Sequence, residues 1–308
     1  MASTSIKKVA VAGPNGNLGP SVISHLVKAG FDVTLLTRDP AQAAQTYPPP
    51  IHTVQTDYSS VSALTTVLRN GAFDALVILI NREQPDPQIR LLDAAAAVGG
   101  LHVIPSAFGT QTEHPMARQV SAMLSKLPVE EHWLALAKDG ALTYTAINTG
   151  LFFDWALGKA GLPINLRGGP TMLFDEGKVK LSVSTLDRIG ETVAQALLRR
   201  DELGLVNRTV YVQSAAVSQS QLLGYAKEIA PERAWPTVAL DTASMERTAL
   251  EKLEEHGETG PEVYRPLVVR ASFGLGLGLF ERPDNALFGL AEMTEAEIKA
   301  LLAKYLVN

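Results

Sequence analysis

Cysteine is absent from the 308-residue chain, which removes disulfides, thiolate nucleophiles and cysteine-ligated zinc from consideration. A chain without disulfides is compatible with the cytoplasm, its expected location. Charge is sparse as well. Charged side chains make up 19% of the chain, too few for a disordered or coiled-coil protein. The 27 basic and 32 acidic residues leave a formal net charge of −5. Phosphate backbones ask for a basic face, so nucleic acid is not an expected partner. No run of about 18 apolar residues occurs, so no membrane-spanning helix is expected. The opening MASTSIKK lacks the apolar segment of a signal peptide. His102, His114 and His132 fall near the edge where the candidate site residues cluster in sequence, but none has metal-ligand spacing, so no metal is expected.

What is present is a large apolar fraction, 46%, enough for a buried core. The length suits about two structural units. Up to residue 150 the chain alternates strand-like runs (6–12, 32–37, 52–55, 75–80, 102–105, 142–148) with helical patterns (18–29, 41–47, 61–70, 87–98, 129–138). Strands alternating with helices predict βαβ units and a parallel sheet. Val9-Ala10-Val11-Ala12 and Leu76-Val77-Ile78-Leu79-Ile80 are apolar on both faces, as strands between two helix layers must be. After Gly150 the pattern becomes mixed. Helical stretches at 184–199, 218–229, 244–256 and 294–305 lie among a Gly/Pro-rich segment at 162–174 and an extended piece at 209–212. The acidic stretch 251–258 reads as a solvated helix face. The expected fold is α/β: a Rossmann-type doubly wound parallel sheet over 1–150, with a smaller C-terminal α+β substrate lobe over 151–308. The boundary is soft, and some strands of the second half are free to return to the main sheet.

The strongest motif is Gly13-Pro14-Asn15-Gly16-Asn17-Leu18-Gly19, which joins the first strand directly to a helix. The first glycine permits the tight turn, the second a close approach of backbone to a pyrophosphate, and the third close packing of helix on strand. The helix N-terminus then offers free N–H groups and partial positive charge to phosphates. Strand two ends in Thr37-Arg38, where an NAD-preferring protein usually carries an acid for the ribose 2′-hydroxyl. An arginine there suits a 2′-phosphate, and Asp39 comes one position late, so NADPH is the expected cofactor. Asp57 and Tyr58, after strand three, either approach the adenine ring or form an Asx-type turn. In an open parallel sheet ligands sit beyond the carboxyl ends of the strands. Asn81, Ser106 and Gly150 follow strands four, five and six and join the candidate cofactor set. Gly150 would let the chain pass close to the nicotinamide. Phe152, Phe153 and Trp155 are candidate pocket walls, with core packing as the alternative. Phe273-Gly274-Leu275-Gly276-Leu277-Gly278 follows a helix rather than a strand and reads as a rim loop without a phosphate role.

The glycine loop, Thr37-Arg38, Ile104-Pro105-Ser106-Ala107-Phe108-Gly109 and Thr145-Ala146-Ile147-Asn148-Thr149-Gly150-Leu151-Phe152 together resemble the NmrA-like and isoflavone-reductase-like family of atypical short-chain dehydrogenase/reductases. The resemblance spans nearly the whole chain in its order of elements. It implies a bound NADP(H) and one of two roles: an NADPH-dependent reductase of phenolic or polyketide-like secondary metabolites, or a sensor of NADP(H) that does not turn over. The Tyr-x-x-x-Lys pair of typical short-chain dehydrogenases is missing, since Tyr144 is followed four positions on by Asn148. That absence also counts against a third reading, an epimerase. The family's reductases carry a lysine downstream of the Phe-Gly element. Here that is Lys126, 17 residues after Gly109 and two before Pro128, which suits a helix's first turn. The intervening 110–125 is not legible. A lysine at its ordinary pKa of about 10.4 is charged and can donate a proton or orient the nicotinamide and ribose; Lys138 is the fallback. Many relatives carry Glu where this chain has Ala107. The expected reductase uses Lys126 as donor, with Phe108, Phe152 and Trp155 against a cyclic or aromatic substrate. Its partner is that small molecule, with a homodimer left open.

Overall fold

The structure, a computed structural model, describes residues 5–81, 84–123, 126–257 and 260–306. Two compact units emerge: residues 1–108, 124–148 and 186–210 form one, and 109–123, 149–185 and 211–308 the other.

In the first unit, β1 (Lys8–Ala12), α1 (Gly19–Lys28), β2 (Asp32–Thr37), α2 (Pro40–Thr46), β3 (His52–Gln55), α3 (Val61–Gly71), β4 (Ala75–Ile78), α4 (Pro85–Val98) and β5 (His102–Ile104) follow in strict alternation. Helix α5 (Pro115–Met123) belongs to the second unit, after which α6 (Lys126–Lys138) and β6 (Thr143–Asn148) complete the series. β1 pairs in parallel with both β2 and β4, and the order across the sheet is β6-β5-β4-β1-β2-β3, with strand Arg208–Tyr211 outside β6. The chain therefore moves outward from β1 to β3 and restarts on the other side at β4. The carboxyl ends of β1 and β4 flank the point where the order reverses, the customary ligand position in such sheets.

The both-faces-apolar runs behave as a doubly covered sheet requires. Val9 through Ala12 and Ala75 through Ile78 are all at most 1% exposed. One layer of core gathers Leu64, Leu68, Leu91 and Leu92 from α3 and α4 against these strands. α1 buries Val22, Ile23 and Leu26, the spacing of one helical face. Helix Leu186–Leu198 packs against α1: Ser21 donates to the Leu186 carbonyl at 2.7 Å and His25 meets Asp187 at 2.8 Å. That amphipathic helix and strand Arg208–Tyr211 tie part of the second half to the main sheet, so a single cut at residue 150 does not describe the packing.

His102 lies at the amino end of β5, away from the carboxyl edge suggested by its sequence neighbourhood, and is fully buried. Its ring nitrogens meet Thr143 Oγ1 at 2.9 Å and Thr145 Oγ1 at 3.0 Å, and the Thr145 hydroxyl donates onward to the Leu205 carbonyl. The Thr145 proton being committed, the ring must donate from Nε2 and accept at Nδ1. Burial, helped by the Arg200 charge, pushes the His102 pKa down to about 3. The unfolded chain, where histidine titrates near 6.5, therefore takes up this proton first. Its stabilising contribution is complete above about pH 6.5 and is lost as pH falls toward 3. Urea midpoints are expected to drop between pH 6.5 and 4.5 more steeply for the native chain than for His102→Asn; parallel curves would exclude the assignment.

The second unit has a three-stranded sheet, Ala215–Ser218 antiparallel to Lys180–Ser184, with Leu151–Phe152 parallel on the other edge. A two-stranded parallel ribbon pairs Thr171–Phe174 with Thr237–Leu240. Helices Gln219–Ile229, Thr242–His256, Pro261–Val269 and Glu295–Tyr305 accompany them, over a core that includes Phe153, Phe174, Phe273 and Leu302. Glu251, Glu254 and Glu255 are exposed on helix Thr242–His256, as a solvated face should be; Glu258 lies outside the described residues. No helix among the described residues is long and apolar enough to cross a membrane.

Candidate functional site

β1 runs into Gly13, whose φ of +81° belongs to glycine, and a Cβ there would lie 2.9 Å from the Leu79 and Ile80 backbone. Gly19 opens α1 against the Pro14 carbonyl, which any side chain would strike. A Cβ at Gly16 would meet only ordinary contacts at 3.5 Å, so the protein itself leaves the outer side of that residue open. Gly16 N–H donates to the Gly13 carbonyl and Gly19 N–H to that of Gly16. The backbone N–H groups of Asn15, Asn17 and Leu18 donate to no described residue. No side chain caps α1 at Leu18 and no acid stands in its first turn. Open amides at an uncapped helix N-terminus, cleared of competing carboxylates, make a cradle for a phosphate.

Beyond β2 the structure separates two neighbours. Asp39 caps α2, its carboxylate accepting from Gln42 N–H at 3.0 Å, and its own N–H donates to Thr37 Oγ1 at 3.2 Å. Thr37 is buried beneath this turn. Arg38 is exposed and makes no hydrogen bond or ion pair with any described residue. At the end of β3, Asp57 accepts from the hydroxyl and the N–H of Ser59 at 2.6 and 2.8 Å, and these bonds hold its carboxyl below the usual range. These bonds form an Asx-type turn. The Tyr58 hydroxyl donates to the Leu36 carbonyl at 2.6 Å; burial pushes its pKa up, while the Gly13 amide and the Arg38 charge pull the other way.

Asn81 follows β4 on the surface, its carbonyl accepting from Gln84 N–H and Gln88 Nε2. Ser106 donates its hydroxyl to the Ile80 carbonyl at 3.0 Å, which binds the ends of β4 and β5 together. Phe108 is buried, and its carbonyl accepts from Lys126 Nζ at 3.4 Å. Lys126 lies in the first described turn of α6, and its bond to Phe108 holds its ammonium beyond the carboxyl end of β5. Lys138 is exposed at the far end of the same helix. The sequence signals passed over Tyr47, whose buried hydroxyl donates to the Pro14 carbonyl inside the glycine loop at 2.8 Å.

The remaining candidates belong to the second unit. The N–H groups of Thr149 and Gly150 both donate to the Gly109 carbonyl. At Gly150 the close neighbour that forbids a side chain is the Ser182 carbonyl, so strand packing already accounts for this glycine. Phe152 and Trp155 are half-buried, whereas Phe153 is fully buried in the core. Phe273 and Gly274 end the helical turn Arg270–Gly274 and 275–278 follow it; Phe273 packs on Phe174 and Leu275 is exposed. No cluster of three or more metal-ligating side chains occurs among the described residues.

A parallel sheet with one order reversal, and a glycine loop at that reversal leading into an uncapped helix, define a Rossmann-type α/β protein. Residues 5–224 match the model of the NmrA-like family, and the chain belongs to that family. Among characterised proteins, the oxidoreductase poxI of Penicillium oxalicum is 27% identical over 256 residues, which cover 82% of this chain and 76% of that protein. Among solved structures, the leucoanthocyanidin reductase–NADPH complex from Vitis vinifera superposes with a TM-score of 0.78 at 18% identity, covering 98% of this chain and 100% of that one. An isoflavone reductase gives a TM-score of 0.75 at 15% identity with the same coverages. At these identities the structural likeness is one of fold.

Proposed function

We propose that the protein is an NADPH-dependent reductase acting on a cyclic or aromatic substrate such as an enone, a quinone or an isoflavone-like compound. The observation that carries this reading is Arg38, exposed and unpaired among the described residues, at a strand end beside a glycine loop with three unclaimed amides. The loop amides and α1 hold the pyrophosphate, and Arg38 takes the 2′-phosphate as a charge-assisted pair. Asn81, Ser106 and Phe108 complete the proposed lining, Ser106 by fixing strand ends. Bound NADPH supplies a hydride. Lys126, oriented by its bond to the Phe108 carbonyl, gives the proton that balances it from Nζ to the substrate oxygen. Phe108, Phe152 and Trp155 are the proposed aromatic contacts. The names of the fold neighbours, leucoanthocyanidin and isoflavone reductases, support this substrate class.

A second reading, a non-catalytic sensor of NADP(H) that binds a protein partner, draws support from Ala107. It packs on the apolar core beside Phe108 and carries no group for proton transfer. The two readings part on turnover. Loss of reduced-nicotinamide absorbance with members of the three substrate classes is expected for the reductase; tight NADPH binding with no oxidation by any of them favours the sensor.

Asp39 is assigned to helix capping and not to ribose. Asp39→Ala is expected to lower stability by about 1 kcal/mol through the lost cap. The ratio of NADPH to NADH affinity should stay unchanged. A shift in that ratio, measured by calorimetry, would return Asp39 to the cofactor site.

A further inference from the structure

Two tyrosines that carry no part of the chemistry above both touch the glycine loop, and the geometry points to a shared role. Tyr47 lies past the end of α2, buried, 33 positions from the loop residue it reaches; its hydroxyl donates to the Pro14 carbonyl at 2.8 Å. Tyr58 lies past the end of β3; its hydroxyl donates to the Leu36 carbonyl at 2.6 Å while its oxygen faces the Gly13 amide. The Pro14 carbonyl is the group that a side chain at Gly19 would strike, so it is fixed by α1 on one side and by Tyr47 on the other. Gly13 lies against the Leu79–Ile80 backbone, with the Tyr58 hydroxyl on its amide side.

We propose that Tyr47 and Tyr58 are positioning residues that hold the 13–19 loop in its pyrophosphate-binding shape before any ligand arrives. The inference rests on the dinucleotide reading of that loop. Between its two anchors the loop leaves the Asn15, Asn17 and Leu18 amides unclaimed, and a flexible loop would have to be ordered at the expense of binding energy. Burial raises the pKa of both phenols above the ordinary tyrosine value, so both remain protonated donors throughout the neutral range. Phenylalanine fills nearly the same volume, so the hydroxyls can be removed without emptying either site.

The test compares three ligands by calorimetry on the full chain and on Tyr47→Phe: NADPH, NADH and adenosine 2′-monophosphate, which has the 2′-phosphate and no pyrophosphate. Tyr47→Phe is expected to weaken NADPH and NADH by the same factor, about 3- to 10-fold, the worth of one hydrogen bond. Adenosine 2′-monophosphate should bind as it does to the native chain. Unchanged dinucleotide affinities would overturn the inference, and so would a loss shared by all three ligands, which marks a general structural defect. If Tyr47→Phe fails to fold, Tyr58→Phe carries the dinucleotide comparison, with the same equal loss expected and unchanged affinities again overturning the inference. A native chain that binds none of the three would fail differently, by removing the dinucleotide reading itself.

Discussion

Lys126→Ala is expected to lower turnover by about 100- to 10,000-fold, the usual worth of a positioned proton donor, while leaving the Kd for NADPH within about 3-fold of the native value. The split follows from where the side chain is held. Its ammonium rests on the Phe108 carbonyl past the end of β5, whereas the proposed phosphate contacts lie in the 13–19 loop and at Arg38. Lys126→Arg keeps the charge but holds its proton far more tightly, so it should recover binding geometry better than turnover. Steady-state kinetics on an accepted substrate, read beside calorimetry with NADPH, separate the two effects. Turnover equal to that of the native chain would remove Lys126 from the mechanism, and equal losses in binding and turnover would make it a cofactor anchor.

Arg38→Ala is expected to weaken NADPH binding by about 1.5–3 kcal/mol, the range for a lost hydrogen bond to a charged group, or roughly 10- to 150-fold in Kd. NADH should be nearly unaffected, because its ribose has no phosphate to lose. The side chain is exposed and unpaired among the described residues, so its removal leaves no buried charge behind and should not disturb folding. Added salt should narrow the gap between the two cofactors in the native chain, since the contact is ionic and near solvent. Losses of equal size for both cofactors would end the assignment of Arg38 to the 2′-phosphate.

The two sites of these predictions differed in how plainly their sequence announced them. The glycine loop was legible because each glycine answers a backbone constraint at fixed spacing, and a strand and a helix flank it within a few residues. β2 and β3 came out with the boundaries their sequence suggested, Asp32–Thr37 and His52–Gln55, because β-rich runs there end in turn residues. Lys126 was reached by resemblance to the family's reductases. Helix α5 was not: it has no acidic first turn and no basic last turn. Short strands such as Lys180–Ser184 and Ala215–Ser218 escaped because strand pairing distant in sequence, not local pattern, creates them. Tyr47 escaped for a related reason, and so did the bond that Ser106, itself a candidate, makes to Ile80. Their hydroxyls act on carbonyls 33 and 26 positions away, and no spacing rule encodes such a bond. Gly150 carried a different lesson. A glycine at a strand end suggested space for a nicotinamide, yet the backbone it accommodates is that of Ser182.

The central claim is that the 13–19 loop and Arg38 form an NADPH site. Calorimetric titration of the purified chain with NADPH, NADP+ and NADH tests it most directly. Tight binding of NADPH, with NADH weaker by a factor that Arg38→Ala abolishes, is the predicted result. Absence of binding by all three, or equal affinity for NADPH and NADH, would contradict it.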